Sequence, residues 1–341
     1  MAENLSRLLE TLVEGRDLTE PEAGELLVAL TDPDCPGPLA GALLAALRSK
    51  GETAEEIRGL ANAMRGLARD PGLPDIAGMT DVVGTGGDGS GSLNLSTGGA
   101  LLAAACGVPI VKHGNRAVSS KSGSADTLEA LGLALPLDES DARRVLEQTG
   151  FTFLFAPHYH PAMKNVARIR AAMGIRTVFN ILGPLTNPAR PPFSLIGAFS
   201  PEMAALMADS LAGTELERAF VVHGEPGWDE ATPVGPYLLY DVRPGSVTRC
   251  ERDPADVGLA RCAPEALAGG DADHNAARIR AVFQGEESGP HRDALVLGAG
   301  LVLELTGRSQ SLADGIAAAS AAIDEGAAAR LLAALPAAVS G

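Results

Sequence analysis

The sequence predicts an α/β fold in two parts. A small all-helical N-terminal domain covers residues 1–70, and a large α/β domain with a mostly parallel central sheet flanked by helices covers 75–341. Three observations predict this. Residues 1–70 carry leucines at helical spacing and no strand signal. From about residue 79 onward, short apolar runs alternate with helical stretches, the pattern of a doubly wound sheet. Between the two parts lies Asp70-Pro71-Gly72-Leu73-Pro74, a composition suited to a linker.

Leu5, Leu8, Leu9 and Leu12 share one helical face, and Gly15 stops that helix. Thr19-Glu20-Pro21-Glu22 is a capping box that opens a second helix, with Leu26, Leu27 and Leu30 inward. A third helix is expected over about 38–50, ended by Gly51. Thr53-Ala54-Glu55-Glu56 is another capping box and opens a fourth helix over 57–68. Four short amphipathic helices leave an apolar face to cover. A dimer contact and packing on the large domain are both open, and helices from about 161–190 could complete the small domain.

In the large domain, strands are expected at 79–83, 108–111, 151–155, 195–197, 218–222 and 238–242. Helices are expected at 124–131 and 161–173, with two more over 293–335.

Composition limits the partners. The chain has 341 residues, 46% of them hydrophobic, so it can bury a full core. Its formal charge of −16 argues against non-specific binding to nucleic acid or to an anionic membrane. A polyanionic substrate would then need locally placed cations. Cys35, Cys106, Cys250 and Cys262 form no C-x-x-C pair, which suits a reduced, cytoplasmic protein. The N-terminus lacks an apolar signal core, and the apolar run 100–106 is too short to span a bilayer.

The densest signal is Gly84-Thr85-Gly86-Gly87-Asp88-Gly89-Ser90-Gly91, followed by Asn94-Leu95-Ser96-Thr97. A strand leads in and a helix leads out. Glycines allow positive φ and close backbone approach, so the loop amides and the helix N-terminus suit an anion. No Gly-Lys-Ser/Thr follows and the third dinucleotide-loop glycine is missing, so neither of those phosphate loops matches. Asp88 would repel a phosphate unless a divalent cation accompanies it. An ordinary strand-to-helix turn is the plain alternative.

Lys112-His113-Gly114-Asn115-Arg116 follows a strand and brackets a glycine with cations, a second phosphate-like feature. Ser119-Ser120-Lys121-Ser122-Gly123-Ser124 adds hydroxyls and another cation. Asp229-Glu230 places two carboxylates side by side, pointing different ways, where each could hold a cation. One of Arg168, Arg170 and Arg176 could pair with a substrate carboxylate. His113 could be a general base or a neutral wall. The other histidines read as structural.

These motifs, with His160-Pro161-Ala162-Met163-Lys164-Asn165 and Gly183-Pro184-Leu185-Thr186-Asn187-Pro188, stand in the order seen in anthranilate phosphoribosyltransferases. The chain resembles that family over residues 53–271 and more weakly to the end. The resemblance implies transfer of a phosphoribosyl group from phosphoribosyl pyrophosphate (PRPP) to anthranilate, a step of tryptophan synthesis. It implies Mg²⁺, two ions of it, and a homodimer built through the small domain.

By motif position, Gly84, Gly87, Asp88, Ser92, Asn94, Leu95, Ser96, Thr97, Lys112, Ser119, Ser120 and Ser124 should hold the donor. Ser96, Asp229 and Glu230 should bind metal. Asn115, His113, Arg170 and Pro184 should line the acceptor path. Lys112, Asp88, His113 and Asn115 are the expected catalytic set. Departures from the family pattern are Trp228, residues 231–236, Ser92-Leu93, Arg170-Ala171 and Gly298. A pyrimidine nucleoside phosphorylase of the same fold and a non-catalytic nucleic-acid binder are the alternatives.

Overall fold

A computed structural model describes residues 2–117 and 121–339. Four helices open the chain: α1 (Ala2–Val13), α2 (Glu20–Thr31), α3 (Gly37–Lys50) and α4 (Ala54–Gly66). Both expected capping boxes form, Thr19 with Glu22 and Thr53 with Glu56. Glu56 is fully buried, and it also accepts from Leu18 N–H at 2.9 Å and pairs with Lys50 at 3.0 Å. That satisfied carboxylate ties the α2 entry to the α3 exit.

The large part follows as β1 (Thr80–Gly84), α5 (Leu95–Ala105), β2 (Ile110–Gly114), α6 (Ser124–Ala130), α7 (Glu139–Thr149) and β3 (Phe151–Phe155). Then come α8 (Ala156–Tyr159), α9 (Met163–Met173), α10 (Phe179–Leu182), β4 (Phe193–Gly197), α11 (Pro201–Ala212), β5 (Arg218–Gly224), β6 (Tyr237–Arg243) and β7 (Ser246–Arg252). Four helices close the chain: α12 (Ala272–Phe283), α13 (Pro290–Leu305), α14 (Leu312–Asp324) and α15 (Ala327–Val339).

The seven strands form one sheet in the order β3-β2-β1-β4-β5-β6-β7. The first five of that order run parallel, and β6 and β7 are antiparallel. Chain order reverses at β1, which pairs with both β2 and β4. In such sheets ligands bind beyond the strand C-termini at that reversal.

Strand alternation divides the core between the two faces. Leu195, Phe220 and Leu239 join α5, α13 and α15 on one side. Ile196, Val221 and Tyr240 join α11, the segment 178–185 and the four N-terminal helices on the other. The N-terminal helices therefore share a core with the sheet, and α9 packs on α2 and α3.

Three differences from the sequence reading have physical causes. The strand β2 starts and ends later than expected, so Lys112 and His113 lie within it and not in the loop after it. The edge strand β7 escaped notice because its residues are exposed or half-buried, which removes the apolar signal. The tail holds three helices, not two. Gly307 and Gly326, at φ +70° and +74°, break a run whose alanine and leucine content never changes.

Candidate active site

A cavity of about 650 Å³ opens at the C-terminal ends of β1 and β2. It gathers the loop from Gly84 to Ser92, the run Asn94-Leu95-Ser96-Thr97, Lys112, His113, Asn115, Ser124, Arg170, Asp229 and Glu230. Pro184 stands elsewhere: it is buried and lines a second cavity of about 470 Å³ with Arg65 and Arg190. Ser119 and Ser120 lie outside the described residues.

The two carboxylates do point different ways. Asp229 Oδ2 accepts the Gly86 N–H at 2.6 Å, and the Asp229 N–H donates to Asp88 Oδ2 at 3.3 Å. Glu230 Oε1 accepts the Ser96 N–H at 3.0 Å, in the first turn of α5, where the helix terminus favours negative charge. Burial pushes both carboxyls well above their ordinary range. Asp88 adds to the shift of Asp229, and Asp229 adds to that of Glu230, which rises to about 8.

Glycines make the room for this pair. A Cβ on Gly84 would stand 2.4 Å from Asp229 Oδ2, on Gly197 1.6 Å from the Asp229 carbonyl oxygen, and on Gly224 2.0 Å from that of Glu230. These residues end β1, β4 and β5. Gly197 and Gly224 were not picked out from the sequence; a glycine that closes a buried strand was the available signal. We expect Gly197→Ala to fold less stably, by about 1–3 kcal/mol, and to lack the Mg²⁺-induced rise in Tm expected of wild type. A differential scanning fluorimetry titration with MgCl₂ checks this.

Cation fit follows from the donor set. The buried Asp229 and half-buried Glu230 carboxylates face one cavity with Asp88 and the hydroxyl of Ser96 close by. Among the described residues no group of three or more His, Cys, Asp or Glu could hold a metal alone. A cation here would complete its shell with water and substrate oxygens, which is the habit of Mg²⁺.

Lys112 is 2% exposed, and its Nζ donates to the Val82 carbonyl and to Ser96 Oγ at 3.4 Å. Burial lowers its pKa, and Asp81, Glu230 and Asp229 oppose that. Asp81 accepts the His113 N–H at 3.1 Å and Asn187 Nδ2 at 2.9 Å. Burial raises Asp81 to about 6, with Lys112 pulling the other way. Asp81 and Asn187 are supports that sequence reasoning missed. An aspartate inside an apolar strand was the visible sign.

His113 Nδ1 lies 3.3 Å from the Gly183 carbonyl oxygen, and its ring meets His160 edge-on at 5.1 Å. Burial first, then His160, lowers its pKa to about 3, so the ring is neutral at physiological pH. Asn94 lines the cavity and also holds the loop in place. It donates to the Ser122 carbonyl at 3.2 Å and accepts from Thr127 Oγ1 and from Asn275 Nδ2, the latter at 2.7 Å. Arg170 lies over the Phe179 ring at 5.4 Å, and none of the ion pairs among the described residues involves it. Trp228 exchanges backbone hydrogen bonds of 2.9 Å with Gly224, which sets the entry to Asp229. Gly298 sits where α13 meets α5: a Cβ on Gly99 would stand 3.5 Å from its Cα.

Comparison with known proteins agrees with this geometry. A model described as "Glycosyl transferase family, helical bundle domain" matches residues 6–68, and one described as "Glycosyl transferase family, a/b domain" matches 77–329. The anthranilate phosphoribosyltransferase of Desulforudis audaxviator is 46% identical over 321 residues, covering 94% of this chain and 92% of the relative. The crystal structure of the enzyme from Thermus thermophilus superposes with a TM-score of 0.92 at 44% identity, covering 98% of this chain and 99% of that one. The Saccharomyces cerevisiae enzyme in complex with PRPP and Mg gives a TM-score of 0.90 at 28% identity, over 100% of this chain and 99% of that one. Fold, cavity and full-length similarity agree, and the chain belongs to the anthranilate phosphoribosyltransferase family.

Proposed function

We propose that this chain transfers the 5-phosphoribosyl group of PRPP to the amine of anthranilate and releases pyrophosphate, a step of tryptophan synthesis. One observation carries the reading: a single cavity holds the glycine loop, the carboxylate pair and Arg170, which joins no ion pair among the described residues. The first two suit a sugar pyrophosphate with its cation, and the third suits an aromatic carboxylate.

The donor's phosphates take loop amides and the α5 N-terminus, with Asp88, Ser92, Thr97 and Ser124 around them. Mg²⁺, two ions in this reading, would be held by Ser96, Asp229 and Glu230; when bound it neutralises charge on the leaving pyrophosphate. Lys112 supplies fixed positive charge beside Ser96 and Glu230. Arg170 pairs with the anthranilate carboxylate, and Asn115 and His113 line the acceptor path.

An aromatic amine is neutral at physiological pH and needs no base before attack. The C1–pyrophosphate bond opens, the amine nitrogen bonds to C1, and the resulting ammonium then gives its proton to the released pyrophosphate or to water. Positioning and charge stabilisation then account for the rate, without a covalent intermediate on the protein. Replacement of His113 by Asn is accordingly expected to lower kcat less than about tenfold, against ~10²–10⁴ for a true general base. It should leave the shape of the pH–rate profile unchanged between about pH 6 and 9.

A homodimer through the outer face of the N-terminal helices fits the exposure of Val13 and Val28. No helix among the described residues is long and apolar enough to cross a membrane. The test of the activity is loss of anthranilate fluorescence on adding PRPP and MgCl₂. Unchanged fluorescence would overturn the acceptor assignment. Arg170→Gln should raise the KM for anthranilate by about 10–100-fold, the value of a charge-assisted hydrogen bond.

A further inference from the structure

We infer that Arg176 is a positioning residue: it fastens the glycine loop to the segment that carries the acceptor wall, and so aims a loop amide at the donor. The inference rests on the reading of the cavity as a PRPP site.

Arg176 stands just beyond Gly174, the φ +63° residue that ends α9, and just before α10. The two helices carry Arg170 and Asn180 into the cavity. Arg176 itself is outside it. Its Nη2 donates to the Gly87 carbonyl, across to the glycine loop. Its guanidinium lies over the Phe199 ring, 4.6 Å from the centroid. Phe199 follows β4, and its N–H donates to Thr85 Oγ1 at 3.2 Å, in the same loop. The Arg176 carbonyl accepts from Arg48 of α3. One residue thus touches the donor loop, the post-β4 segment and the helical bundle.

A loop with Gly86, Gly87, Gly89 and Gly91 all at positive φ has wide conformational freedom, so a specific tether is needed to hold one shape. The tether also sets direction. A trans peptide is planar, with its C=O and N–H on opposite sides. Arg176, which is not among the residues lining the cavity, holds the Gly87 carbonyl; in this inference the Asp88 N–H, on the opposite side of the same planar peptide, faces the donor. That amide becomes a donor for a donor-phosphate oxygen without reorganisation on binding. Other bonds anchor the loop base, from Gly86 N–H to Asp229 and from Gly269 N–H to the Gly91 carbonyl at 2.8 Å. The Asp88 carboxylate is held as well, accepting from the Asp229 N–H and from the Ser90 N–H and hydroxyl, whereas the Arg176 bond acts on the Gly87–Asp88 peptide carbonyl itself.

The experiment compares wild type with Arg176→Ala, Arg176→Lys and Phe199→Leu. Steady-state kinetics is combined with calorimetric titration of PRPP in MgCl₂. For Arg176→Ala the KM and Kd for PRPP should rise about tenfold with kcat within about threefold of wild type, the signature of lost binding at unchanged chemistry. Arg176→Lys keeps the charge but loses the flat stack and the guanidinium geometry, and should stay at least about threefold impaired. Phe199→Leu should fall between wild type and Arg176→Ala.

A wild-type Kd in Arg176→Ala, or full recovery in Arg176→Lys, would overturn the inference, the second by reducing the effect to charge alone. A drop in Tm with KM unmoved would assign Arg176 a purely structural role and overturn it too. Failure of wild type to bind PRPP at all would instead sink the reading of the cavity, and this inference with it.

Discussion

Lys112→Gln is expected to lower kcat by about 10²–10³, the size of effect seen when one fixed donor to developing negative charge is removed. The side chain is buried between opposite charges. Asp81 lies behind it, Glu230 and Asp229 lie in front, and Ser96 Oγ is within hydrogen-bond reach. A cation fixed in that place costs nothing to reorganise as charge builds on the leaving pyrophosphate. Its removal also takes away the positive charge that favours the buried Asp81 carboxylate, and so lowers stability. The two effects separate in a double variant. Asp81→Asn with Lys112→Gln should recover most of the stability, read by urea denaturation, and none of the rate. Recovery of rate in the double variant would show that Lys112 acts only by balancing Asp81.

Glu230→Gln is expected to abolish the response of the protein to Mg²⁺ and to flatten its stability against pH. Burial and Asp229 raise the Glu230 carboxyl to about 8. In the metal-free fold the group therefore holds a proton that the unfolded chain gives up near ~4.3. Its contribution to stability is present at low pH and is lost as pH rises through about 8. Metal binding must displace that proton, so the rise in Tm on adding MgCl₂ should be larger at about pH 8.5 than at about pH 6. Glu230→Gln removes the ionisation, and its metal-free Tm at about pH 8.5 should exceed that of wild type by roughly 2–5 °C. A variant with the wild-type response to MgCl₂ would remove Glu230 from the metal site.

Much of this was legible before any coordinates, for reasons particular residues make plain. The Thr19 and Thr53 capping boxes formed as expected because their defining hydrogen bonds join residues three apart in sequence. The glycine loop and the Lys112 run lie at strand ends, where sequence position already implies place in a parallel sheet. The edge strand β7 was not legible, because a strand buried on neither face carries no apolar pattern. The cradle under the carboxylate pair was not legible either. Gly197 and Gly224 are separated from Asp229 in sequence or by a turn, and only the pairing of β1, β4 and β5 shows that their missing side chains leave its space. Asn94 lines the cavity, and what the sequence did not show is that its side chain also joins the loop to Thr127 and Asn275. Pro184 sits in the right motif but lines a different cavity, although its neighbour Gly183 meets His113.

At the centre of this account is a strongly acidic protein that binds a still more acidic donor through a cation on the Asp229–Glu230 couple. Calorimetric titration of PRPP in MgCl₂ and in EDTA measures that directly. The account predicts a Kd at least about tenfold weaker without the cation, roughly 1.4 kcal/mol, and no difference between the two conditions in Glu230→Gln. Equal affinity for wild type in MgCl₂ and in EDTA would contradict it.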